Sequence, residues 1–83
     1  MQAEKRLIKL IRGFDGRLPD EHIWEYISLA EHNECVVALE NLCTQLCEYD
    51  VLPAPEELTT IQELAKEINL EESTWNFLRH SNS

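Results

Sequence analysis

The chain has 83 residues, 43% hydrophobic and 28% charged, with 16 acidic and 7 basic side chains and a net charge of −9. This is the length of one small domain, which buries roughly 60–65% of its unfolded surface and has little volume left for a deep catalytic pocket. The apolar content excludes disorder, and the charge disfavours nucleic acid and anionic membranes, leaving two readings: a basic partner protein or simple solubility.

Helical periodicity runs through nearly the whole chain. Over 3–13, Leu7, Leu10, Ile11 and Phe14 fall on one stripe with Ile8 beside it, and Gly13 and Gly16 stop the helix. Leu18-Pro19-Asp20-Glu21 opens a second helix, with proline in the first turn and acids at the positive end of the dipole. Ile23, Tyr26, Ile27 and Ala30 form its apolar stripe, flanked by Trp24, and His32-Asn33 marks a break or kink. A third helix spans about 34–49, with Val36, Leu39, Leu42, Cys43 and Leu46 inward and Glu34, Asn41, Gln45 and Glu48 opposite. Pro53 and Pro55 prevent its continuation past Asp50. A fourth helix over 56–69 turns Leu58, Ile61, Leu64, Ala65 and Ile68 inward. A short last helix lets Trp75 and Leu78 close one end of the core, with fraying expected from Arg79 onward. The expected fold is all-α, a compact bundle of four to five short helices in one domain over 1–83.

The charges are segregated. Residues 1–17 hold Lys5, Arg6, Lys9, Arg12 and Arg17, whereas from Leu18 to Ala65 there is neither Lys nor Arg. That stretch carries eleven acids, from Asp20 to Glu63, with no basic neighbours in sequence to offset them. The asymmetry favours a basic partner over mere solubility.

Little in the sequence points to chemistry. Cys43 and Cys47 lie one helical turn apart with His32 not far away, but no fourth zinc ligand is evident, and both read as small apolar residues. Cys35 sits near a helix start among acids, which do not favour a thiolate. His22 and His80 read as solvent-facing, and His32 as a residue that caps or orients the helix junction. The chain lacks a glycine-rich phosphate loop and a nucleophile elbow. Ser28 lies mid-helix after Ile27, not in the Asp-Ser-Leu setting that seats the phosphopantetheine arm of an acyl carrier protein. The expectation is a non-enzyme with no cofactor and no metal. The N-terminus lacks a signal-peptide pattern and no run is long enough to span a bilayer, so a cytoplasmic location is expected.

The segment Glu31-His32-Asn33-Glu34-Cys35-Val36-Val37-Ala38-Leu39-Glu40-Asn41-Leu42-Cys43-Thr44-Gln45-Leu46-Cys47-Glu48-Tyr49-Asp50, followed by an acidic helix and Trp75-Asn76-Phe77-Leu78, resembles the core motif of MafI-type immunity proteins and related proteins of contact-dependent inhibition systems. Phe14, Gly16, Arg17 and Leu18 extend the likeness, which covers about residues 7–79. Cys35 stands where that pattern is often aromatic, and the turn from Val51 to Pro55 is unusually proline-rich. The resemblance implies a cytoplasmic antidote that binds a toxin's C-terminal nuclease domain, often RNA-cleaving and of the EndoU type, in a one-to-one complex. Such a nuclease attracts phosphate with a basic cleft, which an acidic protein can fill or flank to block RNA. The expected contacts are Glu31, Glu34, Glu48 and Asp50, with Glu21 and Glu25 as outer members and Glu34 and Glu48 on one exposed face of the third helix. Each acid could equally be a solvated surface residue. Trp24 and Tyr49 are candidate aromatic anchors or core residues.

Two other readings remain open at this level: a non-catalytic helical adaptor or regulatory subunit that binds another basic protein, and a metal or redox protein that uses the cysteines.

Overall fold

The computed structural model describes residues 2–78, so the fraying expected from Arg79 onward and the placement of His80 fall outside the described residues. The fold is all-α: α1 (Gln2–Arg12), α2 (Asp20–Glu31), α3 (Cys35–Glu48) and α4 (Pro55–Glu67). Two 3-10 turns, Glu72–Thr74 and Asn76–Leu78, stand where a last short helix was expected. Trp75 and Leu78 do close the core. Their three-residue spacing puts them on one side of a three-residues-per-turn chain, so no α-helix is required.

The helices form where the apolar spacing places them. Ala3, Leu7, Leu10 and Ile11 line the inner face of α1, and Ile23, Tyr26, Ile27 and Ala30 that of α2. The inner face of α3 is Cys35, Ala38, Leu39, Leu42, Cys43 and Leu46. Val36, expected inward, is 40% exposed, and Val37 is exposed beside it. At 100° per residue, Cys35 shares the line of Leu39, Leu42 and Leu46, and Val36 is rotated off it. Small Cys35 and Ala38 hold the places where the larger residue was expected.

The helix ends share one device. Asn33, Asp50 and Asn69 each take a left-handed backbone, with φ of 65°, 54° and 61°. Behind each, the chain reaches back: Glu34 N–H to Leu29 O (2.8 Å), Val51 N–H to Leu46 O (2.9 Å) and Leu70 N–H to Ala65 O (2.7 Å). This is the Schellman closure, with Asn or Asp in the place glycine usually holds. Thus α3 stops at Asp50, before either proline acts.

At the other ends, Pro19 is the N-cap of α2, one position before the first turn, and its carbonyl accepts from the N–H groups of His22 and Ile23. Pro55 is the first residue of α4, where its missing N–H costs no helical bond. Glu57 accepts from the Ala54 N–H at 2.8 Å, half of a capping box, because Ala54 has no side-chain acceptor to complete it.

One apolar cluster draws on all four helices. Both α1 and α3 pack against α2 and α4, with no comparable contact between α2 and α4, so those two flank the α1–α3 pair. The Cα radius of gyration is 11.5 Å, close to the value of about 12 Å expected for a compact chain of this length.

Candidate functional site

The separation of α4 from α2 decides which acids are neutralised. Arg6 of α1 reaches Glu63 at 2.5 Å and Glu67 at 4.0 Å. Arg17 grips Glu57 through two bonds of 2.5 and 3.2 Å, donates to Gly13 O at 2.6 Å, and lies 4.4 Å from the Phe14 ring centroid. Burial pushes the Glu57 carboxyl up, but the Arg17 hydrogen bonds, the Ala54 N–H and the guanidinium charge together hold it below the ordinary carboxylate range. The expectation that the acids between Leu18 and Ala65 lack basic partners therefore fails for Glu57 and Glu63, whose partners lie 40 and 57 residues away in sequence.

It holds for α2 and α3. Residues 20–50 contain eight acids and no Lys or Arg, while the rest of the chain holds the other eight acids and all seven bases. Nearly the whole net charge therefore sits on one helical hairpin. Among the described residues, no ion pair involves an acid of that hairpin.

The six acids singled out from sequence are all exposed, but they form two groups. Glu31 ends α2 and Glu34 is the N-cap of α3, so this pair marks the closed end of the hairpin. The Glu34 side chain makes no capping bond. Glu48 ends α3 and Asp50 follows it, next to the start of α2 with Glu21 and Glu25. Glu34 and Glu48 thus lie at opposite ends of α3, about 20 Å apart at 1.5 Å per residue. That exceeds the Debye length of about 8 Å at physiological salt, so the two groups act on a ligand independently.

The open end also carries aromatic rings. His22 stacks on Tyr26, centroids 6.0 Å apart at 15°, and meets Tyr49 edge-on at 6.1 Å and 60°. His22, expected to face solvent, is half-buried as the link between the two tyrosines. Tyr26 is 2% exposed and Tyr49 is 49% exposed, so the row runs from the core to the surface. Burial, with the Glu25 charge and Tyr49 adding to it, pushes the Tyr26 hydroxyl up to about 12, so it stays neutral. Leu52, three residues beyond Tyr49, is 64% exposed. Neither His22 nor Leu52 stood out in the sequence. The four-residue spacing of His22 and Tyr26, and an apolar residue directly before Pro53, are the signals that could have marked them.

Trp24 is also exposed, on the other side of α2. It lines a cleft of about 240 Å³ with Arg12, Asp15, Asp20, Ile23 and Ile27. A second cleft, of about 350 Å³, lies between α1 and α4 where the charges are already matched.

The remaining polar groups serve structure. His32 Nδ1 donates to Ser28 O at 2.7 Å and so ties down the end of α2. Burial, with Glu40 adding to it, pushes the Cys43 thiol up to about 12, and burial followed by the Glu4 charge raises Cys35. Both are poor nucleophiles in consequence, while Cys47 is exposed. Among the described residues, no three His, Cys, Asp or Glu side chains cluster to hold a metal ion, and no helix is long and apolar enough to cross a membrane.

Compared with family models, with curated proteins and with solved structures, the chain has no match in any of the three.

Proposed function

We propose that this chain is an immunity protein: a non-catalytic binder that neutralises a cognate bacterial toxin domain, an RNA-cleaving nuclease of the EndoU type, in the cytoplasm. The observation that supports this most is the cation-free hairpin, with eight acids between Asp20 and Asp50 and none of the seven bases. A nuclease must attract polyanionic RNA, so its cleft is basic. A rigid acidic hairpin competes for that potential and excludes RNA by its bulk, and long-range attraction speeds the encounter. No cofactor, metal or nucleic acid takes part in the binding.

The same cation-free surface favours a second reading, a helical adaptor that binds some other basic protein. Growth rescue separates the two. A candidate toxic nuclease domain of the EndoU type is expressed with and without this chain, and growth and RNA integrity are followed. Rescue with a one-to-one complex, weakened by charge reversal within the hairpin, is the expected result. Neither rescue nor complex would leave the adaptor reading in front.

A further inference from the structure

We infer that the open end of the α2–α3 hairpin, centred on Tyr49, is a docking site for an arginine side chain of a basic partner protein. The inference takes the partner's identity from the neutralising function proposed above, but its chemistry from the surface itself.

Three features converge at this end. The first is exposed apolar surface: Tyr49 at 49% and, three residues on in the chain, Leu52 at 64% exposure. Half-exposed tyrosines are frequent anchors of interfaces, because a large rigid ring loses little conformational freedom on binding. The second is preorganisation. Tyr49 meets His22 edge-on, His22 stacks on Tyr26, and Tyr26 is buried in the core. The surface ring is therefore held before any partner arrives. The third is charge: Glu48 and Asp50 flank Tyr49 in the chain, Glu21 and Glu25 flank His22 and Tyr26 in α2, all four are exposed, and none has an ion-pair partner among the described residues.

An exposed aromatic ring at a helical end rich in unpaired carboxylates selects a planar cation. Guanidinium stacks on a phenol ring and still donates sideways to carboxylates, whereas the more strongly hydrated ammonium does this less well. The other surfaces lack this combination. The closed end offers Glu31, Glu34 and the exposed valines 36 and 37, without a tyrosine, phenylalanine or tryptophan ring; its His32 imidazole is tied back to Ser28 O. Trp24 lies by Arg12, a cation that would repel an incoming arginine.

The test uses the full chain, isotopically labelled, and a short peptide of alternating arginine and glycine as the probe, with its lysine counterpart beside it. Amide shift changes should concentrate on residues 21–26 and 47–52, and the arginine peptide should bind the more tightly. Tyr49→Ala should weaken arginine-peptide binding about tenfold and remove the preference over lysine, while Tyr49→Phe, which keeps the ring, should retain both. Reversal of both Glu31 and Glu34 should change binding less than about twofold. Shifts spread evenly over the hairpin, shifts concentrated on 31–37, or indifference to Tyr49→Ala would each overturn the docking site.

Repeating the rescue assay with the same variants separates the two proposals. Rescue kept by Tyr49→Ala would overturn this docking site and leave neutralisation standing. A failure of the unmodified chain to rescue would remove neutralisation and leave the peptide titration to decide the docking site.

Discussion

The α1–α4 side and the α2–α3 side of this bundle carry acids at similar density and use them in opposite ways. On the first, Arg6 and Arg17 reach across to Glu63, Glu67 and Glu57. On the second, no lysine or arginine lies within the hairpin, and among the described residues none from outside forms an ion pair with its acids, although Arg12 lines the cleft beside Trp24. A carboxylate's meaning therefore depends on which helix lies opposite. The acids of α4 contribute to holding the fold together, and those of α2 and α3 are left to act on something outside it.

The comparison is broken most directly at Arg17. Arg17→Met should cost about 1–3 kcal/mol, since it removes a two-bond grip on a carboxylate that is mostly buried, a bond to Gly13 O and the contact with Phe14. In a chain of this size, each kcal/mol lowers the melting temperature by roughly 4–8 °C. If Arg17→Met melts within a degree of the unmodified chain, the pairing across α1–α4 is not structural.

Asp50 sharpens the contrast, because it serves both backbone and charge. Asp50→Ala should destabilise by about 1 kcal/mol, the cost of a Cβ in the left-handed region without a local polar group to favour it. Asp50→Gly should be neutral or stabilising by chemical denaturation. Either substitution removes the same charge, so equal loss of partner binding with opposite effects on stability would assign the two roles separately.

The next effect concerns pH. The folded-state pKa of Glu57 lies below its unfolded value. Its contribution is therefore fully present above the unfolded carboxylate pKa of about 4.3 and is lost as pH falls through the lower folded value. Urea unfolding across that range should show Glu57→Gln less stable than the unmodified chain near neutrality, with the gap closing in acid. A gap that persists unchanged into acid would mean that Glu57 acts by packing and not by charge.

The smallest effect lies on the hairpin. Glu25→Gln with Glu48→Gln should leave stability unchanged or raise it by about 0.5 kcal/mol or less, because no partner is lost and some repulsion is relieved. The same pair should weaken binding to a basic partner and flatten its salt dependence. A clear loss of stability would show that the hairpin acids have internal partners after all.

The helices were legible in the sequence because apolar spacing and the 3.6-residue turn are local properties. Of the misplaced core positions, Val36 came from favouring a large side chain over Cys35 and Ala38, whose small size carries little signal, and Cys47, at the margin of the α3 stripe, is exposed where a small apolar core residue was expected. The stops were harder to read. Prolines 53 and 55 drew attention because they break helices everywhere, whereas Asn33, Asp50 and Asn69 act through a left-handed turn that ordinary polar loops also contain. The charges of α4 were misread for a different reason, since a partner 57 residues away, as with Arg6 and Glu63, leaves no trace in local composition. For the six candidate acids, residue type and exposure were readable. Their division between two ends of the hairpin was not, because it depends on helix length and on which helix termini become neighbours.

The three left-handed stops bear on how quickly the chain reaches this arrangement. Each is closed by a bond spanning five residues, so α2, α3 and α4 can be terminated before any distant contact exists. The consecutive helices of the hairpin, α2 and α3, then pack as neighbours and need only a short loop to close. Topologies of this kind fold on the order of microseconds to milliseconds. Moving a stop, for example by inserting one residue before Asn33, should slow that search more than any change to the surface charges.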